Sequence, residues 1–252
     1  MKKILFTFFL SVAAAGVMAQ DQASADTTYW EKKGVAGINL SQTSLSNWSA
    51  GGDGSIAFDL YRNYSLDYKK DKQLWTNRLE LAYGLNNTSS QGTRKTNDKI
   101  YFASNYGYKI SEHWYASALL NFTTQFDKGY KYASSVTEED VVISRFMAPG
   151  YLSFGLGFTW TPKSWLTVNL SPATWRGTFV LDDALSDAGA FGVDPGKKIL
   201  NEFGGNIVAE AKLNSTENMA FHSRLSLFSN YLKKPQNIVG NWDNQNLSLI
   251  QI

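Results

Sequence analysis

The 252-residue chain has no cysteine. That absence excludes a lipid-anchored lipoprotein, a disulfide framework, thiol catalysis and cysteine-ligated zinc. Histidine is nearly absent as well, with His113 and His222 alone. Past the N-terminus no apolar run approaches the ~18–20 residues of a membrane-crossing helix. Charge of one sign is lacking too. The chain carries 24 Lys+Arg against 22 Asp+Glu, and removing Lys2 and Lys3 leaves 22 against 22. A near-neutral chain presents no electrostatic footprint for nucleic acid.

Those two lysines open a segment that reads as a secretory signal. Lys2-Lys3 form a charged end, Ile4 to Val12 an apolar core, and Val17-Met18-Ala19 a small-residue exit. Cleavage is expected between Ala19 and Gln20. Residues 1–19 thus read as the signal peptide, 20–33 as a polar tail and 34–252 as the folded body, whose pattern decides its class.

What is abundant is alternation. From Ile56, the residues Phe58, Leu60, Tyr64, Leu66 and Tyr68 hold even numbers, while Asp59, Asn63, Ser65 and Asp67 lie between them. After Lys69 to Lys72 the apolar positions are odd: Trp75, Leu79, Leu81, Tyr83 and Leu85. A period of two marks a strand with one apolar face. Pairing Tyr68 with Gln73 places Leu60 opposite Leu81 and brings both apolar faces to one side of a hairpin. At ~3.3 Å per residue and a ~40° tilt, thirteen residues rise roughly 33 Å, enough to cross a ~25 Å apolar band.

Eight further alternating segments complete the pattern: 35–45, 100–110, 114–126, 152–160, 166–181, 203–213, 219–231 and 242–252. A phase change past Pro172 predicts a bulge near Ser171-Pro172. Short connections near residues 70, 112, 162 and 216 alternate with long ones near 50, 92, 136, 190 and 236. Trp75, Trp114, Trp160 and Trp165 stand beside short turns, and Trp48, Trp175 and Trp242 near long loops. Both regularities fit an all-β, antiparallel up-and-down transmembrane β-barrel with short periplasmic turns, external loops and two aromatic girdles. A secreted sandwich requires neither. The localisation that follows is the outer membrane of a Gram-negative bacterium, with outer-membrane lipids and the barrel-assembly machinery as partners.

Several stretches resemble one family. They are Asn47-Trp48-Ser49-Ala50-Gly51-Gly52, Gln125 to Tyr130, Ala148-Pro149, Ser171-Pro172 with Arg176, Gly189 to Val193 and Phe228 to Tyr231. Together they resemble the outer-membrane β-barrel family of Bacteroidota known as domain of unknown function 3078. The resemblance implies location and fold but no activity. It also implies further strands and a terminal aromatic. Ten strands are visible where about twelve are expected, so a C-terminally truncated barrel with poorly paired outer strands is predicted.

Parity assigns a lumen lined by Asp59, Arg78, Glu80, Lys109, Arg176, Glu210, His222 and Arg224. A five-residue turn sets Glu210 across from His222, a pair that invites an acyl-transfer reading. Ser226 lies four residues along the strand, about 13 Å away at ~3.3 Å per residue, too far to be the nucleophile. Mutual satisfaction of inward charges is the expected role, and no enzyme activity, metal or cofactor is predicted. The acidic loop of Asp182, Asp183, Asp187 and Asp194 lacks EF-hand spacing. Gly51 to Gly54 lack a Walker lysine. Two function classes remain: a small-solute channel or binding barrel, and a plugged barrel whose external loops bind a surface partner. Arg62 interrupts the apolar face at mid-strand, where a bulge around Tyr61 to Asn63, or snorkelling, is expected to relieve it.

Overall fold

The computed structural model describes residues 29–44, 52–133, 139–216, 219–233 and 235–248. The signal segment, Trp48 and the final residues lie outside that set. Among the described residues there are twelve strands: β1 Trp30–Thr43, β2 Ser55–Lys70, β3 Gln73–Thr88, β4 Gly92–Lys109, β5 Trp114–Thr124, β6 Gly129–Lys131, β7 Val141–Ser144, β8 Gly150–Lys163, β9 Leu166–Phe179, β10 Ile199–Thr216, β11 Met219–Asn230 and β12 Ile238–Ser248. Ten of them form one sheet in the order β1-β2-β3-β4-β5-β8-β9-β10-β11-β12, and β6 and β7 pair separately. Every neighbouring pair is antiparallel. The all-β meander expected from the alternation is therefore what forms. Among the described residues β1 and β12 do not pair, so the sheet is open along that seam.

The boundaries differ from the sequence reading in instructive places. β1 begins at Trp30, so Trp30 to Lys33 belong to the sheet and not to a tail. In the β2–β3 hairpin Tyr68 faces Trp75 and Leu60 faces Tyr83. The turn is only Asp71-Lys72, with Asp71 at φ 51°, because two-residue hairpins favour left-handed backbone. The register moves by two residues, which leaves both apolar faces where alternation placed them. The supposed polar loop Asn86 to Asp98 is instead an extension of β3 and β4 as far as Thr88 and Gly92, with a register shift at Gly84/Leu85. One connection counted as long is therefore a tight turn on lengthened strands.

The bulge expected near Ser171-Pro172 is present. Leu156 pairs with Ala173 but Phe158 with Leu170, which leaves Gly157 opposite two residues. A Cβ on Gly157 would run into the Leu170 carbonyl and lie 2.7 Å from Ser171 Cα. Only glycine admits that backbone approach. No bulge forms at Arg62. It pairs regularly with Ala36 and Leu81, so the bulge offered as one way to relieve it is absent, and the side chain is exposed on the apolar face. Uninterrupted ladders on both sides hold β2 straight there.

The distribution of burial is inverted relative to a water-soluble domain. Leu156, Phe158 and Ile207 are 49%, 46% and 45% exposed, whereas Ser171 and Thr174 are 4% and 2% exposed. Soluble folds bury the apolar set; here it covers the outside. Three of the outward tryptophans find a partner for the indole N–H on that same face. Trp75 donates to Ser104 Oγ at 2.8 Å, Trp175 to Asn201 Oδ1 at 3.2 Å and Trp242 to Ser223 Oγ at 3.0 Å. Trp114 stacks on Trp160 at 6.0 Å, and Trp30 lies 5.8 Å from Trp75.

At the long-loop rim, a short helix α1 (Asp183–Asp187) and a 3-10 turn at Ala190–Gly192 follow β9. Asp182 caps the helix by accepting from the Leu185 N–H at 3.0 Å. Leu185 and Val193 bury a small apolar core with Ala148 and Val180, and Leu200 packs against it. Val180 and Leu200 share the parity of Arg176 and Glu202, so this loop folds over the inner side of the rim. Arg145 ties it to the β7–β8 connection through Asp182 at 3.1 Å.

Candidate functional site

The sheet curls until residues of strands distant in order meet. Arg78 on β3 places Nη1 3.9 Å from Glu210 Oε1 on β10. The same carboxylate oxygen accepts from Lys212 Nζ at 2.8 Å and is 2.9 Å from His222 Nε2. In register, however, Glu210 faces Arg224 and Lys212 faces His222. The β10–β11 turn is tighter than the five residues read from sequence, so the Glu210–His222 contact is diagonal.

Two cavities occupy the interior. The one toward the short-turn rim, about 280 Å³, is bordered by Arg78, Glu210, Lys212 and Arg224. The one toward the long-loop rim, about 260 Å³, is bordered by Arg176, Arg224, Tyr151 and Phe228. Tyr101, Asn121, Asn206, Val208 and Arg224 border both and form the waist where the two adjoin. The wall of β5, β8 and β9 satisfies itself by a relay in which Ser117 Oγ lies 2.6 Å from Thr159 Oγ1, which donates to Asn169 Oδ1 at 2.6 Å.

The eight residues assigned to the lumen from parity do not converge. Arg78, Glu210, His222 and Arg224 gather in the short-turn half of the interior, and Arg176 lies above them beside the upper cavity. Glu80 pairs instead with Lys99 of the adjacent strand at 2.7 Å, and Asp59 Oδ1 accepts from Asn97 at 3.3 Å. Lys109 sits at the short-turn end of β4, opposite Tyr115, and borders neither cavity. Residues the sequence reading missed are Lys212, Lys99, Tyr101 and the asparagines Asn121 and Asn206. Lys212 shares the parity of Glu210 and was legible by that rule; the neutral residues carry no charge to draw notice. Ser226 pairs with Val208, four residues from His222 along β11.

Fold and interior together define an antiparallel β-sheet curled around a polar, partly hollow centre, with an apolar exterior. Residues 40–130 match the family described as "Protein of unknown function (DUF3078)", the family named from the sequence motifs; of those motifs, Asn47 to Gly52 and Gln125 to Tyr130 fall within the matched span. A solved structure described as "NanC porin structure in rhombohedral crystal form" is similar over 88% of this chain and 97% of that chain, at 10% identity and a TM-score of 0.33. No curated protein matches.

Proposed function

We propose that this chain is an outer-membrane β-barrel whose interior binds and passes small polar solutes. The observation that carries the reading is the inverted burial: apolar side chains outside, hydroxyls, amides and paired charges inside, around two stacked cavities. An apolar exterior of this extent is stable only against lipid. The lipid of the outer membrane is then its solvent, reached through a cleaved signal ending at Ala19 and through the barrel-assembly machinery. The role is non-catalytic. Glu210 is held by Lys212, Arg78 and His222, and Ser226 stands on the strand beyond reach of His222.

The waist at Tyr101, Asn121, Asn206 and Arg224 sets the size of what passes. Arg78, extended across the interior to Glu210, narrows the lower approach. Planar-bilayer recording of the purified protein tests this. Small, steady conductance is expected, rising when Arg78→Ala removes the side chain that crosses the lower cavity. Electrically silent protein that is correctly inserted would favour the plugged-scaffold reading. That second reading draws on the ordered Asp182–Lys198 loop, which folds over the inner rim and presents Phe191 to solvent.

A further inference from the structure

We propose that the upper interior cavity is a binding site for a small organic carboxylate, gripped by Arg176 and Arg224. The proposal deepens the lumen reading above and rests on it. Two interior lysines are neutralised at close range, Lys99 by Glu80 at 2.7 Å and Lys212 by Glu210 at 2.8 Å. Arg176 and Arg224 have no such direct partner. Among the described residues neither guanidinium has a carboxylate oxygen within 4.0 Å. Acidic residues are nevertheless at hand, since Arg176 faces Glu202 in register and Arg224 faces Glu210 and Asp243. Glu202 accepts instead from Asn230 Nδ2 at 3.1 Å, Glu210 is held by Lys212, and Asp243 accepts from Asn241 Nδ2 at 2.9 Å. These carboxylates take other direct partners, although the Tyr101 hydroxyl lies against Arg224 and both Glu210 and Asp243 stay near enough to attract it without an ion pair inside 4.0 Å.

Arg176 is also pre-oriented. Its guanidinium lies 4.2 Å over the ring of Phe228, which is itself 4% exposed. Stacking fixes the plane and leaves the edge N–H groups available, the geometry that suits a bidentate carboxylate. Both arginines border the same cavity of about 260 Å³. That falls just below the ~300–1,000 Å³ of pockets for drug-sized ligands, so the ligand is metabolite-sized. Tyr101, Tyr151, Val208 and Val239 supply apolar wall, and Asn121 and Asn206 supply donors and acceptors. Apolar wall opposite two cations selects an anion with an organic body over an inorganic ion, whose hydration it cannot replace.

Isothermal titration of the detergent-solubilised protein at low chloride, with benzoate and with its neutral isostere benzamide, provides the test. Benzoate is expected to bind about tenfold or more tighter than benzamide, and Arg176→Gln or Arg224→Gln to remove that preference. Arg176→Lys, which keeps the charge and loses the fork, should weaken benzoate by a smaller factor and serves if the glutamine variants misfold. Equal binding of the two probes, binding of neither, or benzoate binding indifferent to both arginines overturns the site. Bilayer conductance on the same preparation separates the two ideas. Benzoate binding without conductance defeats passage but leaves the site standing; conductance without benzoate binding does the reverse.

Discussion

Replacing Arg62 by leucine should stabilise the protein in a bilayer. Arg62 lies seven residues from Ser55 and eight from Lys70, the ends of β2. At ~3.3 Å per residue and a tilt of ~40°, each end is roughly 18–20 Å away along the membrane normal. The apolar band is about 25 Å tall, so the root of this side chain sits near its middle, out of easy snorkelling range of either interface. Its ladders to Ala36 and Leu81 are regular, so no kink turns it aside, and it has no ion partner within 4.0 Å among the described residues. An arginine at the midplane of a barrel's lipid face costs about 2–4 kcal/mol relative to an apolar residue. Arg62→Leu should therefore raise the unfolding free energy by about that amount, read from denaturant titration of protein refolded into phosphatidylcholine vesicles. Arg62→Lys should change little. A leucine variant that is unchanged or weaker would refute the reasoning: the face at Arg62 would then meet something other than lipid hydrocarbon.

Three further outcomes follow from the structure. Gly157→Ala forces a Cβ to within 2.7 Å of Ser171 Cα at the β9 bulge and should cost about 1–3 kcal/mol. Gly107→Ala, with its nearest atom at 3.5 Å, should be almost silent in the same denaturant titration. The fully exposed Asp183 has its carboxyl pKa held below the ordinary aspartate value, first by its hydrogen bond to Lys198 and then by that lysine's charge. A folded pKa below the unfolded one means the interaction is present above the unfolded value and is lost as pH falls through the folded one. NMR titration should show Asp183 ionising at lower pH than an unperturbed aspartate, and Lys198→Ala should return it; an unchanged midpoint would contradict the pairing. Finally, Ser223→Ala takes away the acceptor of the Trp242 N–H and should destabilise by about 0.5–1.5 kcal/mol, whereas Trp242→Phe combined with Ser223→Ala should show non-additive costs in a double-mutant cycle.

The sheet was legible because alternation survives any error of two residues. The β2–β3 register was misjudged by exactly that step, yet Leu60, Leu81 and Tyr83 still fell on the outer face. The extension of β3 and β4 was not legible. Beyond Asn86 the strands leave the apolar band, and Arg94, Lys95 and Asp98 show no outward apolar residue to mark period two. Helix α1 has five residues, too few for a helical repeat, and is held by the Asp182 cap and the packing of Leu185. In the interior, parity assigns each charge to a face but does not say how far the sheet curls. The meeting of Arg78 with Glu210 depends on closure across five strand positions, which no local pattern encodes. Asp59 and Glu80 satisfy that same parity and are consumed by adjacent strands.

The central claim is that β10 separates a water-filled interior from lipid, and the lack of any native cysteine makes it directly testable. Single cysteines introduced at Phe203, Asn206, Ile207, Val208, Ala209, Glu210 and Ala211 would be challenged in proteoliposomes with a charged, water-soluble thiol reagent. The account predicts modification at the inward positions 206, 208 and 210 and protection at the outward positions 203, 207, 209 and 211. Uniform labelling of both sets, or labelling of the odd positions with protection of the even ones, would contradict it.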